Sequence, residues 1–344
     1  MSDTRYKYID IGAGVMILWM IIYHALGAGL GLEESRRTVM CCSESCEVIN
    51  PMQEFPFLLF FMPWFFYKSG MFFRLRSAKE LLVYDSRKYL KPFVIWSSVG
   101  YVFYAIICLI DGRATLHALT YSVVRNAVLN GHVPINMALW FLLSLVAVRQ
   151  LCNIFFRKVH PLAIAFAGLA IAYFCHLTEL RLMPLWVANI GSGTFFFSFG
   201  YWLHHNVRIP ERLKSLMFVI SLTVFVLWCI ISYLLSEGSI MKIPIVDMGS
   251  KVLVQGHYLL WYPICLSGIA AFNQMMKKCE SLSSPLLFWV ARNAEPIYVI
   301  HFIPNYILLW IATTFYPSMN SGILVGLILT SYGILFAAIR IFNA

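Results

Sequence analysis

The stretch from Tyr8 to Leu32, YIDIGAGVMILWMIIYHALGAGLGL, decides the fold class. It is apolar enough to cross a bilayer, yet it carries an acid at its start, Asp10, and a histidine deep inside it, His24. At about 1.5 Å rise per residue, the steps between these two residues span roughly 21 Å, which places His24 about two-thirds of the way through the hydrocarbon. An ionisable side chain at that depth is costly unless it faces the protein interior or a wet cavity. Two interpretations of His24 stay open: a structural histidine held by neighbouring helices, or a functional residue.

The composition of the whole chain agrees with this stretch. Of its 344 residues, 60% are hydrophobic and 12% are charged, whereas soluble proteins carry about 25% charged residues. The sequence therefore predicts one all-α domain over residues 1–344, a polytopic membrane protein of about ten transmembrane helices with a polar interior. The predicted spans are 11–31, 55–73, 92–110, 137–155, 161–176, 185–203, 215–235, 257–274, 296–315 and 323–341.

The net charge of +10 argues for topology rather than for nucleic-acid binding. The cations lie in short segments between apolar spans, and most of the 26 Lys and Arg residues fall on one side if the N-terminus is cytoplasmic. This bias predicts that both termini are cytoplasmic. No nucleic-acid partner is expected.

The loops carry three further predictions. Cys46 and either Cys41 or Cys42 are expected to form a disulfide on the outer side, and no metal site is expected there because no histidine lies nearby. The loop 111–136 has the apolar rhythm of an amphipathic surface helix. A short helix is expected to begin at Pro285, because proline suits the first turn.

Five motifs, in order along the chain, resemble those of one family of membrane proteins, acyltransferase family 3. They are Tyr8-Ile9-Asp10-Ile11 with Gly14 and His24-Ala25; FFMPWFFYKSGMFFR from Phe60 to Arg74; Arg87-Lys88 with Lys91-Pro92 and Trp96; Trp140-Phe141-Leu142; and Ile297-Tyr298 with His301. Any one of them alone is a weak signal, whereas the ordered set is specific. Within the family, the chain is most similar to the fucose-4-O-acetylase-like type.

The resemblance implies transfer of an acyl group, most often acetyl, from cytoplasmic acetyl-CoA to a hydroxyl of a sugar. The expected acceptor is a glycan or glycolipid of the cell envelope, and the expected location is the bacterial inner membrane among lipids. The resemblance also implies that the family's histidine corresponds to His24 and its basic entry into the third helix to Arg87 and Lys88. No metal is expected to take part.

Roles for the candidate residues follow from this chemistry. A neutral imidazole is suited to accept the proton of a sugar hydroxyl, so His24 is assigned as general base, with a covalent acyl-histidine as the open alternative. The basic group Arg74, Arg76, Arg87 and Lys88 is assigned to the donor phosphates, although inside-positive topology explains the same residues. The residues assigned to substrate binding are Asp10, Lys68, Trp140, Tyr298 and His301.

The chain departs from the family at one position. The family places a basic residue eleven positions before its histidine, and this chain has Ala13 there. Lys68, inside the second predicted span, is the candidate replacement, and an ammonium at that depth requires a partner. Snorkelling of Lys68 to the interface, or its pairing with Asp10, is the alternative.

Two other functional classes stay open at this stage. One is a transporter of a lipid-linked or small hydrophilic solute, which the absence of visible inverted repeats disfavours. The other is a non-catalytic relative of the family, for which Ala13 is the best argument.

Overall fold

The computed structural model describes residues 6–40, 60–177, 185–208, 210–235, 258–282 and 284–342. Within these ranges the chain is helical and forms no β-strand, and the only extended pairing is an isolated bridge between Val133 and Asn136. The predicted disulfide at Cys41, Cys42 and Cys46 lies outside the described residues. The helices are α1 (Lys7–Met40), α2 (Phe61–Met71), α3 (Ala78–Asp85), α4 (Lys91–Ile110), α5 (Ser122–Asn130), α6 (Trp140–Phe155), α7 (Pro161–Leu177), α8 (Leu185–Asn206), α9 (Glu211–Leu235), α10 (Tyr258–Lys278), α11 (Pro285–Arg292), α12 (Ala294–Ile300), α13 (Phe302–Phe315) and α14 (Ser321–Phe342).

Five stretches of the described chain are long and apolar enough to cross a bilayer, which fits an integral membrane protein. The all-α class is therefore confirmed. Each of the ten predicted spans falls on a helix of the structure, but the number of spans that cross the membrane stays a prediction. The five stretches are Lys7–Gly29, Ala78–Ile110, Met137–Phe155, Ala294–Phe315 and Ser321–Arg340.

Both of the short helices predicted in loops are present. Helix α11 begins at Pro285, and the Ser284 hydroxyl accepts a hydrogen bond from the Leu286 amide, which satisfies a free amide of the first turn. Helix α5 lies in the loop 111–136 and ends at Gly131, whose φ of 72° is the left-handed conformation that glycine adopts at helix ends. The apolar side chains Val124 and Val128 of α5 are exposed, as expected for an amphipathic surface helix.

The described helices fall into two compact units, one drawn from Met1–Phe55 and Cys279–Ala344 and the other from Pro56–Lys278. In the first unit, α1 packs against α11, α13 and α14. Helix α1 approaches α11 so closely at Gly14 that a Cβ atom there would meet the backbone carbonyl of Leu287. This glycine lets the two backbones touch, which is how small residues permit helices to associate inside membranes.

In the second unit, α8 is the central helix and packs against α2, α6 and α7. A Cβ atom at Gly70 of α2 would overlap the carbonyl of Phe197, and one at Gly200 of α8 would overlap the carbonyl of Tyr67. Helices α2 and α8 therefore cross at two glycines, one on each helix. Trp64 of α2 lies fully buried and donates a hydrogen bond to the Asn273 side chain of α10 at 2.8 Å.

Candidate active site

In the first unit, His24 of α1 lies beside His301, which links α12 to α13. The two imidazole ring centroids are 5.0 Å apart, and the ring of Phe302 lies 4.5 Å from that of His24. His24 is half-buried, whereas His301 is fully buried. The structure thus brings together the predicted catalytic residue and one of the predicted substrate-binding residues.

The protonation of the His301 ring is fixed by its own helix. Its Nδ1 atom lies 2.6 Å from the backbone carbonyl oxygen of Tyr298, and a carbonyl oxygen can only accept, so Nδ1 carries the hydrogen. In the neutral ring, Nε2 is then left with a free lone pair. This Nε2 atom is buried and has no hydrogen-bond partner among the described residues. Leaving such an atom unsatisfied costs about 1–3 kcal/mol.

Tyr332 of α14 holds the same region from the other side. Its hydroxyl oxygen lies 2.6 Å from the backbone carbonyl oxygen of His301 and 2.6 Å from Oδ1 of Asn305, and its single hydrogen is donated to one of these two oxygens at a time. The Asn305 side chain is buried, and its Nδ2 atom has no partner in the described part of the chain. The first unit therefore contains a buried polar group with two unsatisfied atoms next to His24.

The beginning of α1 holds Asp10 and Ala13, and Ala13 stands where the family has a basic residue. Asp10 is half-buried in the first turn, where a carboxylate interacts favourably with the helix dipole. Ala13 is completely buried. A lysine side chain at position 13 would have to displace some of the neighbours that bury Ala13.

In the second unit, the basic residues surround a cavity of about 710 Å³. Four cations line it against one carboxylate, that of Glu80, which accepts hydrogen bonds from the amide and hydroxyl of Ser77 in a capping box. The volume lies within the range of about 300–1,000 Å³ typical of small-molecule sites. The lining residues are Arg76, Lys79, Glu80, Val83, Tyr84, Arg87 and Lys88.

The ring of Tyr84 contacts two of the cations that line this cavity. The Arg76 guanidinium lies 4.5 Å from the centroid of its ring, and Lys88 Nζ lies 5.5 Å from the centroid and 3.1 Å from the hydroxyl oxygen. Cation–π contacts of this kind attract a cation without neutralising its charge. These contacts therefore leave the positive charge of the two side chains in place.

Residues of helix α6 hold the two segments that line the cavity, one with Arg87 and Lys88 and the other with Arg76. The carboxylate of Asp85, fully buried, accepts hydrogen bonds from Arg149 Nε and Gln150 Nε2, each at 2.8 Å. Asp85 immediately precedes a π-helical turn, Ser86–Leu90, that carries Arg87 and Lys88. Such π-helical turns are frequent at functional sites.

The segment that carries Arg76 is held through hydrogen bonds to its backbone. The Asn153 side chain accepts a hydrogen bond from the amide of Arg76 at 3.0 Å and donates one to its carbonyl at 2.9 Å. Arg149 of α6 is 8% exposed and packs over the rings of Phe73 and Tyr89. Burial of its charge is possible because Asp85 compensates it.

The structure places the other candidates as follows. Lys68 is half-buried in the last turn of α2, and its Nζ atom lies 5.4 Å from the centroid of the Trp64 ring, four residues earlier on the same helix. Trp140 is buried at the start of α6, 6.1 Å from the Phe141 ring centroid. Arg74 is exposed and lies outside the set that lines the cavity. Tyr298 is buried and reaches His301 through its carbonyl.

Comparison with known proteins identifies the family of the chain. The family model of acyltransferase 3, described as an acyltransferase domain, matches residues 6–340. The chain belongs to the acyltransferase 3 family. No curated protein and no solved structure is significantly similar to it.

Several residues of this acyltransferase's site were not predicted from the sequence. Lys79 and Tyr84 are among these residues. Only Tyr84 had a weak indication in the sequence, because helical spacing puts it one turn before Lys88 on the same helical segment. Asn305 lies inside the predicted span 296–315, where a single polar residue is most often a structural hydrogen-bonding group. Tyr332 gave no signal, since a single tyrosine in an apolar helix is ordinary.

Proposed function

We propose that this acyltransferase moves an acetyl group from cytoplasmic acetyl-CoA to a sugar hydroxyl of a cell-envelope glycan or glycolipid in the bacterial inner membrane. The observation that carries the proposal is the position of His24, inside an apolar span and next to the buried polar group of His301 and Asn305. An imidazole there is available for proton transfer in surroundings that exclude most water. Membership of the acyltransferase 3 family supports the reaction class.

In the proposed reaction, the neutral His24 ring takes the proton of the acceptor hydroxyl as that oxygen attacks the thioester carbonyl. A C–O bond forms, the C–S bond breaks, and the CoA thiolate leaves with the proton that His24 received. No covalent acyl-enzyme is required. Asp10, Tyr298 and His301 are proposed to position the acceptor.

The donor is proposed to bind at the basic cavity of the second unit. CoA carries a 3′-phosphate and a diphosphate, and arginine offers paired donors that match phosphate oxygens. Arg76, Arg87 and Lys88 supply this charge, and Lys79 adds a fourth cation. Arg74 is proposed to add to the field around the cavity without lining it.

Lys68 and Trp140 of the second unit are proposed to contact the substrate. The Trp64 ring provides part of the partner that an ammonium at the depth of Lys68 requires. Lys68 is the candidate for the cation that the family places on its first helix. Lys68→Ala is expected to weaken acetyl-CoA binding, and unchanged affinity would rule out this role.

The test compares envelope glycans from a strain that lacks the gene with those from the same strain resupplied with wild type, His24→Ala or His117→Ala. Mass spectrometry is expected to show one acetyl unit per repeat with wild type and with His117→Ala, and none with His24→Ala. His117 is a matched control because its side chain is exposed in the π-helical turn His117–Tyr121 that precedes α5. Full acetylation with His24→Ala would contradict the catalytic assignment, and no change on deletion would contradict the function.

A further inference from the structure

The basic cavity of the second unit lies beside the ends of two apolar stretches of the chain. The stretch Ala78–Ile110, which is apolar enough to cross a bilayer, carries most of the cavity residues in its first third. On the other side, Asn153 lies two residues before the end of the stretch Met137–Phe155 and hydrogen-bonds to the backbone of Arg76. Arg157, just beyond that end, donates a hydrogen bond to the Arg76 carbonyl. The cavity therefore lies at a surface of the membrane.

The charges of the first stretch give the depth of the cavity more closely. The segment 93–110 holds no charged residue, and at about 1.5 Å per residue it is about 27 Å long, close to the thickness of the hydrocarbon layer. Lys91 is the charged residue that precedes this segment, and Arg87 and Lys88 lie about 5–6 Å further out along the helical backbone. Headgroups occupy about 5–8 Å on each side of a bilayer. With 93–110 in the hydrocarbon, Arg87 and Lys88 lie at the depth of the lipid phosphates.

The cavity offers both positive charge and an apolar surface. Four cations face a single carboxylate, that of Glu80. The Val83 side chain lines the cavity beside them and is 43% exposed. Lys79 and Arg87 lie four residues to either side of Val83 along the helical segment, so the apolar group lies between two cations. Inorganic phosphate gains nothing from a valine, whereas a phospholipid presents phosphate and hydrocarbon together.

We propose that the phosphate of an anionic phospholipid occupies the basic cavity when no donor is bound, with its adjoining hydrocarbon against Val83, and that this lipid competes with CoA. Each Lys or Arg near an anionic membrane surface strengthens the attraction about fivefold, and the cavity brings four of them together. The competition rests on the proposed function, because it assumes that CoA binds in the same cavity. Donor affinity then depends on the lipid composition of the membrane, and anionic lipid slows acyl transfer at low acetyl-CoA concentration.

The lipid is located first, in an experiment that does not use CoA. Full-length protein is placed in phosphatidylcholine nanodiscs with a trace of phosphatidylglycerol or of phosphatidylcholine that carries a photoreactive diazirine near the glycerol end of one acyl chain. After illumination, peptide mass spectrometry is expected to find at least about fivefold more of the phosphatidylglycerol probe than of the phosphatidylcholine probe on the segment 76–88. The segment 93–110 is the internal control and is expected to take both probes equally. Equal labelling of 76–88 by the two probes would overturn the lipid site.

The same label measures the competition. Excess CoA is expected to abolish the phosphatidylglycerol label on 76–88 and to leave the label on 93–110 unchanged. Inorganic phosphate at the same ionic strength is the control for screening and is expected to change neither. Loss of the label with inorganic phosphate would show that the cavity takes any phosphate, which contradicts a lipid ligand. A label that persists while CoA is bound would contradict the competition.

Val83→Asn separates occupation of the cavity from the charge of the membrane surface. Leu82→Asn is the matched control, because Leu82 is the neighbouring residue of α3, is 52% exposed and lies outside the set that lines the cavity. CoA is titrated against wild type and both variants in phosphatidylcholine nanodiscs and in nanodiscs with about 30 mol% phosphatidylglycerol. The anionic lipid is expected to weaken CoA binding by wild type and by Leu82→Asn about tenfold or more. The weakening is expected to be about fivefold smaller in Val83→Asn, the factor that a half-exposed valine contributes to contact with hydrocarbon.

The outcomes separate the lipid site from the function on which the competition rests. An equal effect of phosphatidylglycerol on all three proteins would show that the anionic surface only repels CoA, and would overturn the proposal. No binding of CoA in phosphatidylcholine nanodiscs would overturn the donor site of the proposed function and with it the competition, whereas the phosphatidylglycerol label would still decide the lipid site.

Discussion

The imidazole rings of His24 and His301 lie 5.0 Å apart, although one residue belongs to the first helix and the other to the last part of the chain. Side chains in contact at one reacting centre do not act independently. We therefore expect the double variant His24→Ala with His301→Ala to transfer acetyl no more than about threefold more slowly than His24→Ala alone, which itself should lose about 10²–10⁴-fold. Rates of acetyl transfer are measured for wild type, the two single variants and the double variant. If the loss in the double variant equalled the product of the two single losses, the two rings would act separately.

The buried pair of Asp85 and Arg149 is expected to be a main determinant of stability in the second unit. Arg149→Met leaves the Asp85 carboxylate buried without its charged partner, a change that costs about 3–5 kcal/mol. Lys158→Met, at an exposed position just beyond the same helix, is the control and is expected to change stability by less than about 0.5 kcal/mol. Thermal melting in detergent compares the two. Equal melting temperatures would mean that Gln150 alone satisfies Asp85.

Substitution of Asn153 tests whether its hydrogen bonds to the backbone of Arg76 position that arginine for CoA binding. Asn153→Leu removes both hydrogen bonds to Arg76 without changing any charge of the cavity. We expect CoA to bind up to about 30-fold more weakly, since each of the two lost hydrogen bonds contributes about 1 kcal/mol to holding Arg76 in place. Titration with CoA measures the change, and Arg76→Gln gives the effect of losing the charge itself. Unchanged affinity in Asn153→Leu would show that Arg76 is placed without this contact.

Much of the fold was predictable because it depends on local composition. Apolar stretches and the basic residues between them are readable one segment at a time, and each predicted span coincides with a helix. The start of α11 was predictable for the same reason, since Pro285 and Ser284 act within one turn. The contact of Lys68 with Trp64 was readable in principle, because residues four apart on a helix are neighbours.

The supports of the site were not predictable, because they join distant parts of the chain. Asp85 and Arg149 are 64 positions apart, and nothing near either residue in the sequence distinguishes it from an ordinary loop charge. Asn305 and Tyr332 meet only because α13 packs on α14. The contact between the rings of His24 and His301 was not predicted, since single-sequence patterns carry no information on which helices touch.

The close crossing of α2 and α8 can be tested by a glycine substitution at the crossing, with a glycine of α14 as the control. Gly70→Ala places a methyl group against the Phe197 carbonyl and forces the helices apart, which is expected to cost about 1–3 kcal/mol. Gly326→Ala of α14 meets nothing within 4 Å and is expected to be neutral or to stabilise by about 0.5–1 kcal/mol, because alanine favours the helix. Opposite shifts of the melting temperature are the expected result, and a stable Gly70→Ala protein would contradict the close crossing.

The last prediction concerns the pH dependence of stability at His132, in the loop that follows α5. His132 is 8% exposed, and burial lowers the pKa of its ring below the ordinary value of 6.5, although its hydrogen bond to the Val133 carbonyl acts in the opposite direction. Above about pH 6.5 the ring is neutral in both the folded and the unfolded chain, so it adds no pH dependence. Below that pH the unfolded chain gains a proton that the folded chain does not, and the free energy of unfolding falls as the pH falls.

His132→Asn removes this titration while keeping an N–H donor. We expect the melting temperature of wild type to fall relative to that of His132→Asn between pH 7 and pH 5, with a constant difference above pH 7. His160→Asn, at an exposed loop position, is the control and should follow wild type throughout. If the wild-type and His132→Asn curves stayed parallel down to pH 5, the imidazole would be protonated equally in the folded and unfolded chains, and its burial would have no energetic consequence.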